Sequence, residues 1–80
     1  MRGEKMMSKT LHEIVGENVK RYRKELGMTQ ANLSYLMGWN SSAAPISMIE
    51  RGKRGISLLT VEKLAESLGI SAIDLVEDWS

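Results

Sequence analysis

The stretch GMTQANLSYLMGWNSSAAPISMIERG, residues 27–52, reads as two short helices joined by a glycine-containing turn. Thr29 caps the first, over about 30–37, which turns Leu33, Leu36 and Met37 inward before Gly38 stops it. Ser41 or Ser42 caps the second, which runs to about Arg51 and ends at Gly52. Pro45 does not forbid that helix. Counted from Ser42 it is the third helical residue, where a missing N–H leaves no intrahelical bond unmade. Within this helix Ile46 and Ile49 share one face, while Ala43, Ala44, Ser47, Met48 and Arg51 share the opposite one. One face anchors; the other is small and polar.

Outward from this stretch the helical pattern continues on both sides. Thr10 followed by Glu13 is a capping-box pattern, and Leu11, Ile14, Val15, Val19, Tyr22 and Leu26 recur at helical spacing, which predicts a helix over about 11–26 ended by Gly27. Ser57 caps a helix over 58–68 with Leu58, Val61, Leu64, Ala65 and Leu68 as its inner stripe and Gly69 as its stop. Ser71 with Asp74 starts a last helix, about 72–78, carrying Ile73, Leu75 and Val76. Nothing alternates with a period of two for long enough to make a strand. The fold class is therefore all-α, a compact bundle of five short helices over residues 10–80. Residues 1–9 lack an apolar period and are expected to form a mobile arm, in which Met6 or Met7 could serve as an alternative start.

Composition narrows the possible functions. Eighty residues hold one domain with a modest core, too small for a second catalytic unit. Hydrophobic residues make up 42% of the chain, but Phe is absent and only two Trp and two Tyr occur, so the core is aliphatic. There is no cysteine, which removes disulfides and thiolate metal sites. His12, the only histidine, has no second metal ligand of its kind and reads as a solvated helix residue, so no metal or other cofactor is expected. Catalysis needs a nucleophile with an adjacent base and an orienting group. The Ser, Glu and Asp residues here are accounted for as caps or surface charge, and the chain reads as a non-enzyme. Neither a membrane span nor a signal peptide is visible, which leads to the expectation of a cytoplasmic protein.

Charge supplies the direction. The net charge is only +1, but residues 20–54 carry seven basic groups against two acidic ones, while residues 55–80 carry one basic group against five acidic ones. The positive part coincides with the two-helix stretch, a local footprint for phosphate. A helix face made of two methyls, a hydroxyl, a thioether and a guanidinium is small enough to lie deep in a DNA major groove. Thr29 and Gln30 place the N-terminus of the preceding helix as a phosphate acceptor. Lys53 and Arg54, just past the second helix, would reach neighbouring phosphates.

At the level of motif, the stretch from Val15 to Val76 resembles the lambda-repressor-like, Cro-type (XRE family) helix-turn-helix domain. The residues that carry the resemblance are Val19, Arg23, Gly27-Met28-Thr29-Gln30, Leu33, Gly38, Ile46-Ser47, Ile49-Glu50-Arg51-Gly52, Leu64-Ala65, Leu68-Gly69-Ile70 and Leu75. It implies a five-helix bundle that binds a double-stranded DNA operator as a homodimer, one recognition helix per half-site, with half-sites about 34–36 Å apart. It also implies that Arg23 pairs with Glu50 to hold the recognition helix at its angle. Two departures stand out. Between Gly38 and Glu50 this chain has two residues more than the usual spacing, which lengthens the turn Trp39-Asn40-Ser41-Ser42. Positions that often hold Gln, Arg or Asn for base contacts are Ala43, Ala44 and Met48. Thymine-methyl contacts from Ala43 and Ala44, with Asn40, Ser41, Ser42, Ser47 and Arg51 supplying polar contacts, are the corresponding expectation.

Both tryptophans admit two readings. Trp39 either plugs the core after the first helix of the pair or stacks on a sugar or base. Trp79, with Leu75, is a candidate dimer contact, or it folds back onto its own chain. The expected function is a bacterial or phage-encoded transcriptional regulator, a repressor or autoregulator that blocks or contacts polymerase. The alternative is an antitoxin or similar protein-interaction module using the same fold, with a toxin as partner.

Overall fold

The computed structural model describes residues 9–79 and contains five α-helices: α1 (Leu11–Glu25), α2 (Gln30–Leu36), α3 (Ala44–Glu50), α4 (Leu58–Leu68) and α5 (Ala72–Val76). All five follow the sequence pattern. The arm expected over 1–9 lies outside the described residues except for Lys9, whose ammonium is tied to Glu17 at 2.9 Å.

Local chemistry sets four of the five helix starts. At α1 the Thr10 hydroxyl accepts from the Glu13 N–H at 3.2 Å, and the Glu13 carboxylate accepts from the Thr10 N–H at 2.8 Å. Thr29 with Asn32, and Ser71 with Asp74, make the same reciprocal arrangement at α2 and α5, while the Ser57 hydroxyl accepts from the Thr60 N–H at α4. The exception is α3. Its cap position is Ala43, without a side-chain cap bond, and Pro45 is its second residue rather than its third. Ser42, expected as the cap, reaches the Ala44 N–H at only 3.4 Å. The lengthened turn explains the shift: Asn40 (φ 66°) and Ser41 (φ 72°) both adopt left-handed backbone, so the chain enters α3 one residue later.

The core is aliphatic. Val15, Val19, Leu33, Met37, Ile46, Ile49, Val61, Leu64, Leu68 and Leu75 are all buried in one cluster, with Tyr22, Met28, Trp39 and Ile56 packed against it. Helix α1 lies against α3 and α5, α4 against α5, and α2 against α3 and α4.

Several expected core positions face solvent. Leu11, Leu26 and Leu58 sit at helix ends, where the core no longer covers them. In α2 the inward face carries Leu33, Ser34 and Met37, and Leu36 is exposed. The Ser34 hydroxyl donates to the Trp39 carbonyl at 3.3 Å, so a small polar residue occupies the place assigned to a leucine and fixes the start of the turn. Helix α5 stops at Val76, two residues early, because the buried Asn18 amide on α1 donates to the carbonyls of Leu75 (2.7 Å) and Glu77 (2.8 Å) and ends the helix there. Ile73 and Val76 are exposed, leaving Leu75 as the one α5 side chain of the expected stripe that is buried.

Candidate nucleic-acid interface

Helix α3 is held from behind by apolar anchors, a glycine and an ion pair. Ile46 and Ile49 are buried on its inner face. Gly16, in the middle of α1, lies under its C-terminal turn. A Cβ on Gly16 would overlap the Ile49 carbonyl oxygen and stand 3.0 Å from that of Glu50, so the two helices approach as closely as they do only because residue 16 has no side chain. The sequence reading did not single out Gly16. The signal was available, since a glycine inside an amphipathic helix costs about 1 kcal/mol relative to alanine and points to a packing reason.

The Arg23–Glu50 pair is present and buried, with side-chain exposures of 9% and 3%. Arg23 Nε donates to Glu50 Oε2 at 2.6 Å and Nη2 to Oε1 at 3.0 Å, a two-pronged contact that fixes orientation as well as distance. Arg23 Nη1 donates to the Met28 carbonyl at 2.8 Å, and Gln30 Nε2 donates to Glu50 Oε1 at 3.0 Å. One carboxylate therefore joins α1, α2 and α3 through a fully hydrogen-bonded network. Gln30, expected as a DNA contact, has its amide nitrogen engaged here, a role its place in the sequence did not reveal.

On the outer side of α3, Ala43, Ala44, Met48 and Arg51 are exposed and Ser47 is half-buried, which brings the five outward positions onto one surface. Arg51 bends back along its helix, with Nε 3.4 Å from the Ser47 carbonyl and Nη2 3.5 Å from the Met48 sulfur. Asn40, Ser41 and Ser42 lead into this surface and are exposed, as are Lys53 and Arg54 beyond it. The Arg54 guanidinium lies over the Trp39 ring, 5.2 Å from its centroid. Trp39 is half-buried against the core, in agreement with the first of its two readings. Thr29 is exposed. Its capping box takes up the N–H groups of Thr29 and Asn32, and no acceptor among the described residues takes those of Gln30 and Ala31.

The remaining candidates separate. Leu75, expected as a dimer contact, is fully buried in this chain's own core and has no surface to offer a partner. Trp79 folds back: its indole N–H donates to the Asp74 carbonyl at 3.2 Å, and Arg21 lies 5.1 Å from the ring centroid. It is still 55% exposed. Beside the C-terminal turn of α3, the Lys9 ammonium is held above its ordinary pKa, chiefly by its hydrogen bond to Glu17. Among the described residues no helix is long and apolar enough to cross a membrane.

Comparison with known proteins agrees with this geometry. The helix-turn-helix (HTH_3) family profile matches residues 19–75. An HTH-type transcriptional regulator, y4dJ of Sinorhizobium fredii, is 35% identical over 66 residues, covering 82% of this chain and 83% of the relative. Among solved structures, the restriction-modification controller protein C.AhdI from Aeromonas hydrophila superposes with a TM-score of 0.72 at 30% identity, covering 80% of this chain and 94% of its own. The hypothetical transcription factor NHTF from Neisseria superposes with a TM-score of 0.80 at 27% identity, covering 88% of this chain and 78% of its own. With five helices in this order, a buried pair setting the third, and a family match over most of its length, the chain belongs to the HTH_3 (XRE-type) helix-turn-helix family of DNA-binding transcriptional regulators, which are not enzymes.

Proposed function

We propose that this protein represses transcription, its own included, by binding an operator in duplex DNA as a homodimer, with α3 of each protomer in the major groove of one half-site. The observation that carries this reading is the two-sided character of α3. Its inner face is anchored by Ile46, Ile49 and the Arg23–Glu50 pair, and its outer face offers Ala43, Ala44, Ser47, Met48 and Arg51 without bulk. In this reading Ala43 and Ala44 contact thymine methyls. Asn40, Ser41, Ser42, Ser47 and Arg51 supply polar contacts. The free N–H groups at the start of α2, beside Thr29 and Gln30, take one phosphate, and Lys53 and Arg54 take others. The exposed part of Trp79 is available to the second protomer.

Selection of bound sequences from a random duplex pool, followed by a salt titration on the selected site, tests the proposal. A site with two-fold symmetry should emerge. Affinity should fall steeply as salt rises, and Lys53→Ala or Arg54→Ala should each lower the slope of log K against log salt by about one. Absence of any duplex binding at low salt refutes the proposal. That result would leave the protein-interaction reading, favoured by the few hydrogen-bonding groups on the outer face of α3, which co-purification of a toxin would test.

A further inference from the structure

We propose that Trp39 is a positioning residue for phosphate binding, holding Arg54 so that the lengthened turn and the segment after α3 grip the DNA backbone as one unit. The proposal rests on the DNA-binding reading above and adds a residue to it. The Arg54 guanidinium lies 5.2 Å from the Trp39 ring centroid, within the range of a cation–π contact, and no hydrogen bond to Arg54 is present among the described residues. A guanidinium stacked on a ring spends its face on that contact and keeps its in-plane N–H groups available for phosphate oxygens. Stacking thus restricts a flexible side chain without consuming its donors.

Trp39 is well placed to serve as the platform. Its N–H donates to the Ser34 carbonyl at 2.9 Å, its carbonyl accepts from the Ser34 hydroxyl at 3.3 Å, and its ring packs on the core. The backbone on either side of the ring is therefore fixed to α2. Next in the chain stand Asn40 and Ser41, the two left-handed residues of the turn. Arg54 lies in the segment that leaves α3, past Arg51, Gly52 and Lys53, so the contact closes the turn and the exit of α3 into a loop-to-loop bridge around the reading helix.

A double-mutant cycle on the selected duplex, with circular dichroism confirming the fold of each variant, tests this. Trp39→Leu should weaken binding about two- to fivefold in the wild-type background, and should cost nothing further in the Arg54→Ala background. The ring-retaining Trp39→Phe and Trp39→Tyr should stay within about twofold of wild type, on the same reasoning about the ring face. Equal losses from Trp39→Leu with and without Arg54 would overturn the proposal, leaving Trp39 as core packing alone. If Trp39→Leu does not fold, NMR of the wild type decides: the Arg54 Nε–H proton should be ring-current shifted in the free protein and remain so on DNA. Loss of that shift on binding overturns the proposal while leaving the DNA-binding reading intact. A wild-type protein that binds no duplex removes both.

Discussion

Replacing Gly16 by alanine should weaken this fold, although the same change inside an ordinary helix stabilises it by about 0.5–1 kcal/mol. The opposite sign follows from what surrounds the site. A Cβ at residue 16 would overlap the carbonyl oxygen of Ile49 and stand 3.0 Å and 3.1 Å from the carbonyl oxygen and carbon of Glu50. These are backbone atoms, which cannot rotate aside, so α1 and α3 must separate. Forcing an extra methyl into a packed interface costs about 1–3 kcal/mol. Because the clash is with backbone, the upper part of that range, about 2–3 kcal/mol, applies; set against the gain in helix propensity it leaves a net loss of about 1–2.5 kcal/mol, which lowers Tm by roughly 4–8 °C per kcal/mol in a domain of this size. Thermal unfolding followed by circular dichroism measures it. Since the displaced element is α3, affinity for the selected duplex should also fall under conditions where the variant remains folded. A Gly16→Ala protein as stable as wild type, with unchanged DNA affinity, would refute the reasoning: α1 and α3 would then have slack where contact is drawn here.

Other perturbations probe the remaining supports. Arg23→Met strands a buried carboxylate and should cost about 3–5 kcal/mol in urea unfolding, whereas Arg23→Met combined with Glu50→Leu should recover most of that loss; a single variant within about 1 kcal/mol of wild type would mean that water already reaches the pair. Ser41→Gly relieves a left-handed backbone and should raise stability by roughly 1 kcal/mol, and Asn40→Gly by less, because asparagine tolerates that conformation better; a lower Tm for Ser41→Gly would contradict this account of the turn. Asn18→Ala leaves the Leu75 and Glu77 carbonyls without their donor and should cost about 1–3 kcal/mol, with faster amide exchange in α5 than in α4; equal acceleration in both helices would contradict a local role.

Periodicity made the helices legible, and four of the five helix starts also carry their own chemistry within four residues: Thr10 with Glu13, Thr29 with Asn32, Ser57 with Thr60, Ser71 with Asp74. What sequence spacing could not resolve was set by tertiary contact. Leu36 and Ser34 are both compatible with an inward position in a seven-residue helix, and a hydrogen bond to the Trp39 carbonyl decides for serine. Helix α5 ends where Asn18 reaches it from a residue more than fifty positions away, which no local rule can see. The same holds for the candidate site. Its outward positions follow from helical geometry, so Ala43, Ala44, Met48 and Arg51 fall on the surface as expected. Gln30 turning toward Glu50 and Arg54 resting on Trp39 depend on how elements meet, and a glycine inside α1 signals close packing without saying that its partner is α3.

The burial of Glu50 has a consequence for kinetics as well as for stability. Between Glu25 and Glu62 it is the only acidic residue, and its side chain is almost wholly enclosed, with its charge matched by Arg23. The solvent-facing charges of that whole segment are therefore Arg51, Lys53 and Arg54, all of one sign. An approaching phosphate backbone meets no repulsive centre from this segment, and charge of one sign on a docking face speeds diffusional encounter in a salt-dependent way. The carboxylate that fixes the pose of the helix is thus electrically silent during the approach, and the segment can search for a polyanion while carrying an acid at its centre.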